Sequence, residues 1–230
     1  MLDYPKLKYN LQSKAVNQVF DRVYLVLINY LKIFFIYMKI SRPASRQPLP
    51  KNANLVFKGI IFDVYQWKQK QFDGSSATFE KLVRPDTVMV LPVTPEKKIV
   101  LALQEQPGKK PVISAFGGRV DSGEDILAAA KRELMEESGF TAKELVLFDA
   151  QQPISKMEWA IYTFIAKDCK KIADQNLEVG EKIAPLSVSF DEFVDLVLTE
   201  KFGDTEILVK FLRAKLAPVL MEKYRKMFLE

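Results

Sequence analysis

The stretch GRVDSGEDILAAAKRELMEESGF, residues 118–140, decides which fold this chain can adopt. Its central part, ILAAAKRELMEE, has high helix propensity, and Gly139 stands where such a helix would end. Ser122, with Asp125 three residues later, predicts a capping-box start, with Glu124 in the first helical turn. On a helical wheel one face is apolar, formed by Ile126, Leu127, Ala130 and Leu134. The stretch therefore predicts a loop, an amphipathic helix and a second loop.

The second half of this helix holds three glutamates, Glu133, Glu136 and Glu137. Carboxylates three and four residues apart on a helix repel one another. These fall at the edge of the apolar face, beside Ala129, where partial burial would raise their pKa values. A divalent cation would remove the repulsion, because carboxylate oxygens are its natural ligands. The pair Gly117-Gly118 would let the backbone approach closely and offer a carbonyl as a further ligand.

The chain has no histidine and a single cysteine, Cys169. This excludes a Ser-His-Asp triad, a Cys-His pair, His-ligated zinc and an intramolecular disulfide. Acid–base or metal chemistry must use carboxylates, lysines, tyrosines or the backbone, and oxygen-rich sites suit Mg²⁺ or Mn²⁺. Cysteine usage fits a reducing compartment, so we expect a cytoplasmic protein.

Positive charge is concentrated near the N-terminus. Residues 1–58 have ten Lys/Arg against two acids, Asp3 and Asp21, which gives +8. The remaining residues have 24 basic and 27 acidic side chains, which gives −3 and accounts for the net +5 of the 230-residue chain. The basic character belongs to the N-terminal arm, and we expect no specific nucleic-acid binding by the main domain.

The N-terminal arm, residues 1–40, contains an apolar run from Val23 to Met38 that only Asn29 and Lys32 interrupt. As a helix it would be roughly 24 Å long, whereas a full membrane span needs about 20 apolar residues. Three interpretations stay open: a membrane-contacting helix, an amphipathic helix packed on a partner or on the domain, or a segment outside the natural protein, which would then start at Met38. Residues 41–53 are rich in Pro and Ser and predict a linker, and the domain covers residues 54–230.

Strand-like runs surround the predicted helix. A hairpin is predicted to turn at Asp73-Gly74. Further apolar runs precede and follow residues 118–140, and the chain ends in helices with a break near Pro218. Strands around one central helix, with helices at the C-terminal end, predict an α+β fold: an α/β/α sandwich with a mixed sheet.

Residues 118–140 satisfy the pattern G-x5-E-x7-R-E-U-x-E-E-x-G-U, where U is aliphatic or aromatic, at every specified position. In this the chain resembles the Nudix hydrolases. The resemblance implies the Nudix α/β/α sandwich and Mg²⁺-dependent hydrolysis of a nucleoside diphosphate linked to another group, with Mn²⁺ as a substitute. By position it implies metal ligands at Glu133, Glu136, Glu137 and the Gly117 carbonyl. Its supporting residues would be Gly118, Glu124, Arg132 and Gly139.

The flanking sequence is similar to the branch that cleaves ADP-ribose and other nucleoside diphosphate sugars. By this resemblance Glu133 and Glu137 are catalytic, and Glu181 is the general base, with Glu178 as the alternative. Arg84, Gln106 and Phe116 are expected to bind substrate. Members of the branch are typically homodimers that exchange N-terminal sheet elements, so we expect a homodimer.

One departure concerns the Q-x-R stretch that grips phosphate in this branch. Here the chain reads Gln104-Glu105-Gln106-Pro107, so Gln106 replaces the arginine, and Lys109 or Lys110 is the candidate substitute. Two other functions stay open for a chain with this motif. One is a pyrophosphohydrolase for nucleoside triphosphates or capped RNA, and the other is a module that binds nucleotides without cleaving them.

Overall fold

A computed structural model describes residues 40–230 of the chain. The predictions for the apolar run 23–38, including membrane contact, lie outside the described residues. Among residues 40–230, no helix combines the length and the apolar character that a membrane crossing requires.

Two three-stranded sheets form the centre of the fold, with strands β4 Thr87–Pro92, β8 Glu144–Gln151 and β10 Ile161–Lys167 in one, and β5 Ile99–Glu105, β6 Val112–Ser114 and β12 Lys182–Val188 in the other. In the first, β10 pairs parallel with β4 and antiparallel with β8. In the second, β5 pairs antiparallel with β12 and β6. Isolated bridges from Val90 to Phe116 and from Val93 to Ile99 connect the two sheets. The predicted mixed sheet is therefore present.

An N-terminal sheet precedes this centre in the chain, with strands β1 Asn54–Lys58, β2 Asp63–Lys70, β3 Ser76–Val83 and β9 Met157–Glu158. The predicted hairpin joins β2 to β3. Its turn is closed because Gln71 donates to the Ser75 carbonyl at 2.8 Å and Asp73 accepts from the Ser75 amide at 2.9 Å. A short antiparallel pair, β7 Phe140–Thr141 with β11 Lys170–Lys171, completes the strands.

Helices cover both faces of the central sheets: α1 Ile126–Ser138 on one, and α2 Phe190–Val197, α3 Thr205–Lys215 and α4 Pro218–Leu229 on the other. Strand β5 shows the division, because side chains alternate along a strand. Leu101 packs with the aromatic side chains of the C-terminal helices, whereas Val100 and Ala102 pack with Phe116 on the opposite face. The predicted α/β/α sandwich and the predicted break near Pro218 are confirmed.

The segment 42–53 forms neither helix nor strand, but it is bound to the domain. Lys81 is only 1% exposed, and its ammonium group donates to Ser45 Oγ at 2.9 Å and to Glu158 at 2.6 Å. Arg42 reaches the same Glu158 carboxylate. A buried charge is costly unless it is paired, so these contacts offset the desolvation of Lys81 and attach the segment.

Candidate active site

Helix α1 begins at a cap that differs from the predicted one. Asp125 is the N-cap, and its carboxylate accepts hydrogen bonds from the amides of Leu127 at 3.0 Å and Ala128 at 3.1 Å. The predicted capping box at Ser122 is wrong, because Asp125 itself satisfies the first free amides of the helix. Glu124 consequently lies before the cap and not in the first turn.

The C-terminal end of α1 fastens a long loop to the helix. Gly139 ends the helix with φ of +71°, as predicted, and a Cβ there would lie 2.0 Å from the Ala173 carbonyl oxygen. Gln175 donates to the backbone carbonyls of Glu137 and, at 3.1 Å, Ile183. These contacts hold residues 172–181 against the end of α1.

Arg132 connects α1 to the loop before it. Its guanidinium group donates to both carboxylate oxygens of Glu124, at 2.9 and 3.0 Å, and to the carbonyl of Arg119 at 2.9 Å. It also donates to one oxygen of Glu133 at 2.8 Å and one of Glu136 at 3.0 Å. The hydrogen bond from Arg132 lowers the pKa of Glu124, and the same bond raises that of Arg132. The loop and the helix are thereby held together.

Of the three glutamates, Glu137 has the most strongly raised pKa. It is 7% exposed, and one oxygen accepts the Gly117 amide hydrogen at 2.6 Å. Burial raises its pKa to about 8; the Gly117 hydrogen bond opposes this, while the charges of Glu133, Glu181 and Asp204 add to it. Within the described residues no cation pairs with Glu137.

Glu133 lies beside the glycine pair that precedes the helix. A Cβ at Gly118 would stand 2.5 Å from a Glu133 carboxylate oxygen, and a Cβ at Gly117 would stand 2.0 Å from the Val88 carbonyl oxygen. Both glycines are therefore required by close packing, as predicted. Burial raises the pKa of Glu133, against the lowering effect of Arg132.

These side chains fit a divalent cation by their donor chemistry. Two buried carboxylates with raised pKa values stand at the glycine pair, and carboxylate oxygens are the ligands of hard cations. Across residues 40–230, Arg132 engages only one oxygen each of Glu133 and Glu136. No three acidic or thiol groups in that range already enclose a single cation position. The carboxylate oxygens that could bind a cation are present, but they do not surround a single cation position.

Glu181 faces this cluster from the loop before β12. Its charge raises the pKa of both Glu133 and Glu137, so the three carboxylates are electrostatically coupled. A backbone hydrogen bond at 3.0 Å from Glu181 to Glu178 closes a turn, and the Glu181 carboxylate accepts the Glu178 amide at 3.3 Å. Glu178 is exposed, and it is not among the largest causes of the pKa shifts of Glu133 and Glu137. Of these two glutamates, Glu181 is the one whose charge raises the pKa values of Glu133 and Glu137.

The prediction that Phe116 binds substrate is wrong for this structure. Its side chain is fully buried, and its amide and carbonyl both pair with Val90 at 3.1 and 2.7 Å. That pairing directs the ring into the core beside Val100 and Ala102, where it has no surface to offer a ligand.

Arg84 lies against aromatic rings near the loop that precedes α1. Its guanidinium carbon is 4.5 Å from the centre of the Trp159 ring and 5.7 Å from that of Phe62. Within the described residues its Nε is buried without a hydrogen-bond partner. Burial lowers the pKa of Arg84, and repulsion by Arg119 adds to this. Arg119 directly follows Gly118, so Arg84 is close to the glycine pair.

Gln106 lines a cavity of about 570 Å³. It accepts a hydrogen bond from Lys109 at 2.7 Å, and Lys110 also lines the cavity. The predicted substitutes for the missing arginine are thus both at this cavity. Asp204 lines it too, although no sequence pattern indicated a site residue at that position. Asp204 lies more than sixty residues after the stretch 118–140. It reaches the cavity because residues 202 and 203 pair with Ile113 and because its carboxylate accepts the Ala115 amide hydrogen.

The comparison with protein families finds the NUDIX domain over residues 83–211. Among curated proteins, the ADP-ribose pyrophosphatase of Bacillus subtilis (strain 168) is 26% identical over 165 residues, which cover 70% of this chain and 89% of that protein. The ADP compounds hydrolase NudE of Escherichia coli (strain K12) is 26% identical over 151 residues, covering 64% and 73%. The methanol dehydrogenase activator of Bacillus methanolicus is also 26% identical, over 155 residues, covering 66% and 83%.

A solved structure described as an ADP compounds hydrolase superimposes on this chain with a TM-score of 0.60. The match covers 75% of this chain and 96% of the other, at 21% sequence identity. At that identity the match supports the fold alone.

Proposed function

Because this chain belongs to the Nudix family and is a Nudix hydrolase, we propose that it cleaves the diphosphate bridge of ADP-ribose or another nucleoside diphosphate sugar. The products would be a nucleoside monophosphate and a sugar phosphate. The observation that most supports this is Glu137, a buried carboxylate with no cationic partner among the described residues, coupled to Glu133 and Glu181. The two curated relatives named for ADP-ribose and ADP compounds favour this substrate class.

The proposed metal is Mg²⁺, with Mn²⁺ as a substitute. Its protein ligands would be Glu133, Glu136, Glu137 and the carbonyl oxygen of Gly117. The Nudix family generally uses a divalent metal. When bound, the metal supplies Lewis acidity toward the diphosphate oxygens and offsets their negative charge. Gly118, Glu124, Arg132 and Gly139 position these ligands without contacting substrate.

Glu181 is the proposed general base. It accepts a proton from the attacking water while the water oxygen bonds to phosphorus and the bond from that phosphorus to the bridging oxygen breaks. The bridging oxygen leaves with the other phosphate. Glu133 and Glu137 are buried, and the charge of Glu181 raises the pKa of both. Protonation of any one of these three carboxyl groups therefore depends on the charges of the other two.

The substrate phosphates are proposed to contact Arg84, Gln106 and the two lysines at the cavity, Lys109 and Lys110. Arg84 is the strongest candidate, because its partly buried guanidinium group retains an unused donor within the described residues. An anion would supply the missing hydrogen bond at Nε and a further negative charge.

We expect a cytoplasmic homodimer that associates through the N-terminal sheet. The support is apolar exposure along β1 and the turn after it, where Phe57 is 61% exposed and Ile60 is 99% exposed. Contiguous exposed apolar side chains of this kind mark association surfaces.

A panel of substrates tests the proposal. Purified protein is incubated with ADP-ribose, ADP-glucose, NADH, dGTP or capped RNA, each with Mg²⁺ and with EDTA. We expect Mg²⁺-dependent release of AMP from ADP-ribose or ADP-glucose at the highest kcat/KM of the panel. Highest activity on dGTP or capped RNA would establish the alternative hydrolase instead. Binding of these compounds without turnover would establish a nucleotide-binding module.

A further inference from the structure

The cavity of about 570 Å³ is lined mainly by polar groups from two stretches of the chain, 104–114 and 203–204. The side chains that matter are Gln104, Gln106, Lys109, Lys110, Ser114 and Asp204. Gln104 donates its amide hydrogen to Ser114 Oγ, which leaves the Ser114 hydroxyl hydrogen free to donate elsewhere. Within the described residues the lining contains no aromatic side chain. It therefore offers two cations, a carboxylate and neutral hydrogen-bonding groups.

This cavity lies next to Glu137 because neighbouring backbone amides bind Glu137 and the cavity residue Asp204. Phe116 pairs with Val90 of β4, so the amides before and after it point away from β4. The Ala115 amide donates to Asp204 at 2.6 Å, and the Gly117 amide donates to Glu137 at 2.6 Å. Amides two residues apart on an extended chain are separated by about 7 Å. A diphosphate at Glu137 would therefore have one end at the cavity.

The lining suits a sugar phosphate better than a nucleobase. In its ionised form the Asp204 carboxylate can accept two hydroxyl hydrogens at once in short, charge-assisted hydrogen bonds, which matches a vicinal diol. Lysines bind phosphate as point charges. A nucleobase gains most from stacking on aromatic side chains, which this lining lacks. Asp204 is also fixed in place by the Ala115 amide, so little of its freedom is lost on binding.

We propose that this cavity is the subsite for the sugar-phosphate half of the substrate, with Asp204 binding the sugar diol and Lys109 and Lys110 binding the phosphate next to it. This assignment rests on the proposed function and narrows it, because a substrate without a sugar at that end would leave Asp204 unused.

Binding of ribose 5-phosphate in EDTA tests the subsite apart from catalysis. Asp204→Asn keeps the size of the side chain and an oxygen for the Ala115 amide, so the fold should persist, as checked by its melting temperature. We expect titration calorimetry to show binding weakened about 10-fold or more. Glu222→Gln removes a charge at an exposed position of α4, outside the cavity, and should leave ribose 5-phosphate binding unchanged.

The double variant Lys109→Ala/Lys110→Ala covers the case in which Asp204→Asn does not fold. Both lysines are exposed, so this variant should fold, bind ribose 5-phosphate at least about 5-fold more weakly and lose most of the salt dependence of binding. Binding equal to that of the unaltered chain in either folded variant would overturn the assignment.

Kinetics on two substrates separates the subsite from the chemistry. For Asp204→Asn we expect kcat/KM to fall about 10-fold or more with ADP-ribose, mainly through KM, and by less than about 2-fold with the β-methyl ester of ADP. Equal losses on both substrates would place Asp204 in the chemistry or the fold and overturn the subsite. If the unaltered chain cleaves neither compound, the proposed function fails, while ribose 5-phosphate binding still decides the subsite.

Discussion

At the residue scale, the protein environment keeps the Glu137 carboxyl group largely neutral at pH 7. Burial is the largest cause of its pKa of about 8, and three neighbouring acids contribute. A buried carboxylate without a cation is unfavourable, and a bound divalent ion would reverse that preference. Through Glu137, the stability of the protein should therefore depend on both pH and metal binding.

The metal-free protein should lose stability as pH rises. The folded-state pKa of Glu137 is about 8 against an ordinary 4.5, so between these values the unfolded chain binds fewer protons than the folded one. Its contribution to the free energy of unfolding is present below about pH 4.5 and is lost as pH approaches 8. Asp204, with a pKa raised by burial to about 7, acts in the same direction. Urea unfolding in EDTA from pH 5 to pH 8 measures this.

Glu137→Gln should flatten that pH dependence, whereas Glu144→Gln, an exposed site on β8, should leave it unchanged. Added Mg²⁺ should raise the melting temperature more at pH 8 than at pH 5, because metal and proton compete for the same carboxylates. An unchanged slope in Glu137→Gln would contradict the assignment of the effect to this residue.

Individual residues also show where sequence patterns are insufficient. The Ser122 capping box failed because Asp125, three residues later, is itself the N-cap. Phe116 failed because pairing with Val90, a contact across the sheet, decides which way its ring points. Local sequence does not encode such a long-range register.

At the scale of elements, Arg132 joins helix α1 to the loop before it. Replacing it with lysine keeps the charge but removes the planar group that contacts both oxygens of Glu124. We expect Arg132→Lys to lower the free energy of unfolding by about 1.5–3 kcal/mol, measured by urea denaturation. Lys131→Ala, on the exposed side of α1, should change it by less than about 0.5 kcal/mol. A loss in Arg132→Lys no larger than in Lys131→Ala would contradict this role.

Boundaries of helices and strands were predictable where one or two residues determine them. The turn after β2 contains Asp73-Gly74, α1 ends at Gly139, and the C-terminal helices separate before Pro218. Each boundary depends on the backbone preferences of one or two residues. The attachment of segment 42–53 was not predictable, because it depends on Lys81 and Glu158, which are distant in sequence.

At the scale of the whole molecule, the N-terminal sheet leaves apolar side chains in solvent. Phe57→Glu combined with Ile60→Asp should prevent association through this surface, since charges resist burial in an interface. Light scattering after gel filtration should give a dimer for the unaltered chain and a monomer for the double variant. Phe72→Glu, at the exposed turn after β2, should remain dimeric. A dimer that persists in the double variant would place the interface elsewhere.

The site also depends on the whole molecule. The sequence located Glu133, Glu136 and Glu137 because they lie within one helix, and resemblance supplied Glu181. Asp204 joins them through the pairing of residues 202 and 203 with Ile113 and through its hydrogen bond with the Ala115 amide. No pattern within its own segment indicates that proximity, because it arises from tertiary structure alone.

The most direct test of the account is the rate of AMP release from ADP-ribose at saturating Mg²⁺, in the unaltered chain and in Glu137→Gln, with circular dichroism to verify the fold. We predict that the unaltered chain releases AMP and ribose 5-phosphate in equal amounts. The variant should lose on the order of 10²- to 10³-fold in kcat, as expected when about 3–4 kcal/mol of charge stabilisation is removed. A folded variant with near-normal kcat would contradict the account.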